Sequence, residues 1–436
     1  MVVPRGEVSE LKTQVADLTL RLDTALSRID QLSGMVWKGS KKKGGEARPK
    51  AALGKRAGSF RPDPPEASVT ALHSFFLDTC PDCGGEVGPA NRVTTAYQED
   101  IVLPPPPSVE QYQVGRHWCT RCQRHVKHPD APDLYRIRRI GPAVLGFILY
   151  AKYRLGLTLP KIQESLKSLH GFLLSEGEIV WQLHEASTLF GAEYTAICEH
   201  IAGSSHVHAD ETGWRVEGEN WWLWVFASPE GSVRYQLNQS RGREVAKGAL
   251  GENSSHVVSS DFYSAYTGLQ KAHQYCWAHL AREAKACSPS LYSEVSTLYI
   301  SLREQLLKPV AEREGRRLHE AFLRIAQTEY QDSLTGMANK LATLRKRLAR
   351  HTSDYLTCLR FEGIPPDNNR AERLLRQPQV IQRKISGGCR SKQGAETHAV
   401  NSSVLATLKE RAEAPFFEAL QTLVHTKLAG ECSAMG

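Results

Sequence analysis

Apolar positions recur along the chain with different periods, and each period predicts a different kind of element. Leu11, Val15, Leu18, Leu22, Ala25, Ile29 and Leu32 alternate steps of four and three. That heptad seam reads as a self-associating coiled coil over residues 1–36, or as a lone helix packed on its own domain. Between residues 140 and 190 the period is helical. One helix spans 142–153 and is broken by Gly156; Thr158 can cap a second over 159–169, which ends at Gly171. Ser175 followed by Glu178 is a capping box for a third, running through Ile179, Val180, Leu183 and Leu189. Strand-like runs then take over. A β-prone run from His206 ends in the carboxylate of Asp210, and runs at 221–227 and 233–238 flank the turn signal Ser228-Pro229-Glu230-Gly231. After a helical stretch at 243–250, a strand at 256–260 ends at Asp261; a helix around 263–270 and a short strand at 273–277 follow. Residues 280–361 are helical and charged, cut by Gly315 and Gly336 into about three helices.

This β-β-β-α-β-α-β order is that of a ribonuclease H-like domain, in which the first and fourth strands lie side by side. On that topology Asp210 and Asp261 project from neighbouring strand ends. A third carboxylate, Glu372, stands on a predicted helix at 367–373. A helical insertion over about 280–361 explains why Glu372 follows Asp261 by 111 positions (372 − 261); the other reading is a separate helical domain with no bearing on Glu372. Two strand-end aspartates and a helical glutamate suit two-metal phosphoryl transfer, because Mg²⁺ and Mn²⁺ take carboxylate oxygens. Asp210 would bridge both ions, with Asp261 and Glu372 each completing one side. Glu211 is the rival of Asp210, but adjacent strand residues face opposite ways, so only one of them lines the site. His208 shares the parity of Asp210, either flanking the metals or serving as a satisfied structural histidine.

Composition sharpens the choice of partner. The 436 residues are 41% hydrophobic and 23% charged with a net charge of +8, a soluble multi-module chain with a bias toward polyanions. From Lys38 to Arg61 there are nine basic residues against one acid, so 37–70 reads as a disordered basic linker, a tether, a phosphate-contacting arm, or both. Cys80 and Cys83, then Cys119 and Cys122, form two CxxC knuckles, the ligand set of one structural Zn²⁺ in a module over 71–130. His117, His125 and His128 lie close enough in sequence to replace a cysteine. The helical segment 131–200 is either a helix-turn-helix of DNA-binding type or a plain helical connector. Beyond Glu372, Arg373, Arg376, Arg383, Lys384, Arg390 and Lys392 form a run with no acid, with Arg376 on the same helical face as Glu372. The turn Ser386-Gly387-Gly388 offers backbone N–H groups to a phosphate. No signal-peptide pattern opens the sequence, and the apolar run at 143–151 is too short to span a bilayer; the expectation is a cytoplasmic protein with no membrane partner.

Taken together, His208-Ala-Asp-Glu-Thr-Gly-Trp-Arg-Val216, Ser260-Asp-Phe-Tyr-Ser-Ala-Tyr266, Tyr275-Cys-Trp-Ala-His-Leu280 and Asp367-Asn-Asn-Arg-Ala-Glu-Arg373 resemble the bacterial insertion sequence 66 family of transposases, large-subunit type. Arg383-Lys-Ile-Ser-Gly-Gly388 with Arg390-Ser391 resembles it too. The resemblance implies a DDE enzyme that nicks transposon ends in double-stranded DNA and joins the 3′ hydroxyls to target DNA. It assigns the first Asp to Asp210, the second to Asp261 and the Glu to Glu372. It also implies a nucleoid-associated bacterial protein and accessory proteins of the same element as partners, beside the homo-oligomer expected from the coiled coil. The organisation expected is α/β and multi-domain: coiled coil 1–36, linker 37–70, zinc module 71–130, helical segment 131–200, ribonuclease H-like catalytic domain 201–410 with its insertion, and a C-terminal helix and tail 411–436. A DNA-binding regulator and a hydrolytic nuclease of the same fold are the competing readings.

Overall fold

The period-two runs of the sequence become one mixed sheet, and the helical-period runs close over both of its faces. A computed structural model of the chain describes residues 63–99 and 106–434, apart from 133, 135, 136, 252, 253, 267 and 269. The coiled-coil seam at 1–36 and the basic residues of the linker lie outside the described residues. The chain divides into two units, Met1–Ile101 and Val102–Gly436.

The described part of the first unit holds a single 3₁₀ turn, Glu66–Ser68, and a bridge between Thr79 and Glu86 that closes the Cys80–Cys83 turn. The second unit opens with a small hairpin, β1 (His117–Cys119) and β2 (Arg124–Val126). Four helices follow: α1 (Pro142–Tyr153), α2 (Leu159–His170), α3 (Glu176–Leu189) and α4 (Gly191–Gly203). Their ends obey local chemistry. Pro142 stands in the first turn of α1, where its missing N–H costs nothing. Gly171, at φ +65°, ends α2 in the left-handed conformation that glycine adopts without strain. At α3 the Glu178 N–H donates to Ser175 Oγ (3.2 Å) and the Ser175 N–H to Glu178 Oε2 (2.8 Å), the reciprocal capping box.

The sheet runs β3 (His206–Val216), β4 (Glu219–Ala227), β5 (Val233–Asn238), then α5 (Arg243–Leu250), β6 (Ser254–Ser260) and β7 (Gln270–Tyr275). Its spatial order is β5-β4-β3-β6-β7, with β3 antiparallel to β4 and parallel to β6. Two expectations are corrected here. First, β3 does not end at Asp210. Glu217 and Gly218 both take positive φ, 53° and 81°, the pattern of a two-residue hairpin turn. That turn lets β3 pair with β4 as far as Val216, and Gly213 lies within the strand opposite Trp222. Second, the helix expected at 263–270 is only the 3₁₀ turn Ser264–Tyr266. Gly268 at φ +72° and the start of β7 at Gln270 leave no room for a longer one.

One face of the sheet packs on α1–α5, with Val207, Ala209, Trp224, Phe226 and Val258 in a shared core. The edge strand β5 is covered rather than exposed. Helix α13 (Lys392–Arg411) presents Ser403 and Thr407, one turn apart, whose oxygens accept the N–H groups of Tyr235 (2.8 Å) and Val233 (2.9 Å). A free edge is a template for aggregation, and each of these bonds contributes about 1 kcal/mol.

After β7 come α6 (Trp277–Cys287), α7 (Pro289–Leu306), α8 (Gly315–Gln327), α9 (Ala338–Arg350) and the short α10 (Thr352–Tyr355). They share a second core with Val257 and Tyr275 of the sheet. Gly315 and Gly336 do stand at helix starts, but a further break falls at Ser288-Pro289. There the Ser288 hydroxyl caps α7, accepting from the Leu291 N–H at 3.1 Å. The chain then returns through α11 (Asn369–Leu374), a π-helical turn Leu375–Val380 containing Pro378, and α12 (Ile381–Ser386). Pro378 has no N–H to give, which breaks the α ladder there. Helix α14 (Phe416–Ala434) closes the unit.

Candidate active site

Register places the first two carboxylates. In the parallel pair of β3 and β6, His206 stands opposite Val257, Val207 opposite Val258 and His208 opposite Ser259. The same register two residues on sets Asp210 beside Asp261, on strands about 4.8 Å apart. Pairing stops just before both, because β6 ends at Ser260 while β3 runs on with β4 alone. The Asp261 Oδ1 accepts the N–H of Tyr263 (2.9 Å), which turns the chain away from the strand.

Glu372 is brought to them by a clamp at the root of α11. Asn368 is fully buried. Its Nδ2 donates to the Ala209 carbonyl (2.8 Å), one residue from Asp210, and its Oδ1 meets His208 Nδ1 at 2.9 Å. Its backbone N–H donates to Cys276 Sγ (3.1 Å), and its carbonyl accepts the Glu372 N–H (3.2 Å). The segment carrying α6–α10 is fastened just upstream: Gln274 Nε2 donates to Tyr355 O and Gln274 Oε1 accepts from Cys358 N–H, while Trp277 N–H donates to Pro366 O. Long separation in sequence thus ends in a short span in space.

Crowding of negative charge marks the result. The Asp210 carboxyl is pushed well above the usual range, first by burial, then by Glu211 and Asp261, with Glu372 adding to it. Glu372 is itself buried, and both of its oxygens are held by cations. Oε1 is 2.5 Å from Arg282 and 3.4 Å from His279 Nδ1, and Oε2 is 2.6 Å from Arg376. Carboxylate oxygens suit hard divalent cations, but among the described residues the donor atoms that lie within 4.8 Å of one another are those of Cys276, His279 and Glu372, not those of the three carboxylates. There the Cys276 thiol is pushed up to about 11 by burial, and its Sγ accepts the Asn368 N–H.

Glu211 faces the other side of the sheet, as strand parity requires. Its carboxylate receives two bonds from Arg241 (2.7 and 3.0 Å) and one from the Tyr266 hydroxyl. Arg241 is sandwiched between the rings of Trp222 and Tyr263. His208 is a buried, satisfied residue whose pKa is lowered to about 4, chiefly by burial.

The basic residues beyond Glu372 do not form one patch of free cations. Arg373, Lys384, Arg390 and Lys392 are exposed, Arg376 is paired with Glu372, and Arg383 donates to the Gly213 carbonyl. The glycine turn is also committed in part. Gly387 N–H donates to Arg383 O (2.8 Å) and Cys389 N–H to Arg215 O (2.9 Å). A Cβ on Gly388 would lie 2.3 Å from that same Arg215 oxygen, so this glycine serves a close backbone approach. The residue that sequence reasoning missed is Arg282. Its signal was the helical spacing Cys276, His279, Arg282, one face of α6.

The two cysteine pairs have the turns expected of metal knuckles. Cys80 N–H donates to Gly85 O (2.7 Å) and Gly84 N–H to Cys80 O (2.9 Å). Cys119 and Cys122 hold their sulfurs 3.3 Å apart at the turn of the β1–β2 hairpin. The Cys80 and Cys119 thiols are lowered below the ordinary range, first by backbone N–H bonds from Asp82 and Cys122 respectively. Among the described residues, no helix is long and apolar enough to cross a membrane.

No curated protein matches the chain. The family profile described as "Transposase IS66 family" matches residues 138–397, which takes in α1–α4, the five-stranded sheet, α6–α10 and α11. With more than half of its length matched, the chain belongs to the IS66 family of transposases, of the DDE group.

Proposed function

We propose that the chain cleaves transposon ends in double-stranded DNA and transfers the resulting 3′ ends into target DNA, using Asp210, Asp261 and Glu372 as its catalytic triad. The observation that carries this reading is the β3–β6 register, which sets the two aspartates side by side, with Asn368 tying the third carboxylate to the same strand. On this reading the sheet is the core of a ribonuclease H-like domain, and α6–α10 are a helical insertion between its last strand and the glutamate helix.

Asp210, Asp261 and Glu372 would hold two Mg²⁺ or Mn²⁺ ions. When bound, such ions activate the attacking oxygen and stabilise the leaving 3′ oxygen of an in-line displacement at phosphorus. The chain's own residues set the stage. Asn368 fixes the approach of Glu372, and Glu211 with Arg241 and Tyr266 stiffens the opposite face of β3. Arg282 and Arg376, which pair with Glu372, would be placed to donate to a phosphate brought to the same place. Arg373, Arg383, Lys384, Arg390 and Lys392 extend that phosphate-binding surface along the DNA. Cys80, Cys83, Cys119 and Cys122 would hold one structural Zn²⁺, and residues 1–36 would join copies of the chain into an oligomer. Accessory proteins of the same element are further partners.

The test is strand transfer by purified protein with Mg²⁺, using duplexes that carry the element's terminal repeats, supplied both intact and pre-cut. The expected result is nicking of intact ends and joined product from pre-cut ends, with both lost in Asp261→Asn while end binding persists. Nicks without joined product would identify a hydrolytic nuclease. Binding without nicking, with the accessory proteins present, would identify a regulator.

A further inference from the structure

A cavity of about 580 Å³ opens on the same sheet face as the carboxylates and shares Arg383 and Arg390 with the phosphate-binding surface proposed above. Its floor is aromatic and close-packed: Trp214 (3% exposed) stacks on His398 (5% exposed) at 5.1 Å between ring centroids, and Tyr153 leans on the same imidazole at 5.6 Å. Its walls are cationic, with Lys152 at the end of α1, Arg383 on α12 and Arg390 in the loop before α13. Ser391, the N-cap of α13, also lines it, so the positive end of a 20-residue helix opens on the same space.

Two polar groups there lack partners. Lys152 is half-buried, and among the described residues no carboxylate pairs with it; burial lowers its ammonium pKa. The Ser386 hydroxyl is buried without a hydrogen-bond partner. Glu176 brings the only carboxylate to the lining, and it is exposed. A half-buried cation without a counter-charge costs free energy unless an anionic ligand meets it. The volume is that of a small-molecule site, in the range of roughly 300–1,000 Å³; it admits one nucleotide but no stacked base pair. Trp214 follows Asp210 by four residues on β3, so it shares the face of Asp210 at a distance of about 13 Å. That is a few nucleotides along a strand whose phosphate lies at the carboxylates.

We propose that this cavity binds one unpaired nucleotide, its phosphate on Lys152, Arg383 and Arg390 and its base over the Trp214–His398 floor. A nucleotide turned out of a DNA strand and a free mononucleotide share this chemistry. The proposal takes its place along the DNA from the strand-transfer reading, but its test needs no catalysis. Full-length protein without added Mg²⁺ or Mn²⁺ is titrated with a single-stranded 12-nucleotide DNA carrying 2-aminopurine, with dAMP and inorganic phosphate as competitors. The expected result is a fluorescence change on binding and an affinity about tenfold weaker in Lys152→Met, as for a lost charge-assisted bond, with Lys152→Arg restoring most of it. The unliganded Lys152→Met protein should unfold at or above the wild-type temperature, because it loses a half-buried charge that no carboxylate pairs with. Displacement by dAMP at concentrations like those of the strand assigns the cavity to free nucleotides; displacement only by strands assigns it to DNA. Wild-type affinity in Lys152→Met, or competition by inorganic phosphate as strong as by dAMP, overturns the proposal. A failure of strand transfer alone leaves this result standing.

Discussion

Asn368→Ala is the substitution that separates the clamp from the chemistry it positions. The side chain is fully buried, so no water can take over its two bonds. Truncation leaves the Ala209 carbonyl and His208 Nδ1 without the partners they now have at 2.8 and 2.9 Å. An orphaned buried polar group costs about 1–3 kcal/mol, so the pair predicts a loss of about 2–6 kcal/mol in stability. The functional effect should be larger than stability alone gives. Glu372 stands one helical turn beyond Asn368, and a shift of about 1 Å in a reacting group can lower a rate on the order of a hundredfold. The assay pairs urea unfolding with single-turnover nicking at a temperature where the variant remains folded. A variant that is destabilised yet nicks at the wild-type rate would refute the positioning role. A variant unchanged in both would refute the hydrogen-bond geometry itself.

Gly388→Ala should destabilise the chain by about 1–3 kcal/mol, as overpacking does, because its Cβ would press on the Arg215 carbonyl and open the Cys389 N–H to Arg215 O bond; an unchanged melting temperature would count against that contact. His398 has its pKa lowered to about 3 by burial, so the unfolded chain takes up its proton first, and this contribution to stability is complete above about pH 6.5 and lost as pH falls toward 3. Asp210 and Glu211, with raised carboxyls, pull the other way, so the comparison is with His398→Gln: between pH 7 and 5 the wild type should lose about 2 kcal/mol more than the variant, and parallel losses would contradict the assignment. Metal analysis should give one zinc per chain in the wild type and none in Cys80→Ser; zinc-free wild type prepared without chelators would remove the four-cysteine site.

Features fixed by neighbours in sequence were legible in advance. The Ser175–Glu178 box, Pro142 at a helix start and Gly171 at a helix end each act within four residues, and they stand as read. The strands at 221–227 and 233–238 announced themselves by apolar content. Long-range contacts left no such mark. Gly213 looks like a terminator, yet pairing with β4 carries the strand through it. Ser403 and Thr407 read as ordinary helix polar residues until β5 comes to rest beside them. The grip of Arg282 on Glu372 joins residues 90 positions apart, and Asn368 drew notice only as part of a motif. The parity argument that set Asp210 against Glu211 needed only the strand period, and the two side chains do face opposite ways.

The most direct test of the account is whether one metal site touches all three carboxylate segments. Fe²⁺ substituted for Mg²⁺ and activated with peroxide and ascorbate cuts the polypeptide near the ion. The account predicts cuts around 208–211, 260–262 and 368–373, all suppressed by excess Mg²⁺ and all weakened together in Asp261→Asn. Cuts confined to one segment, or cuts indifferent to Mg²⁺, would contradict it.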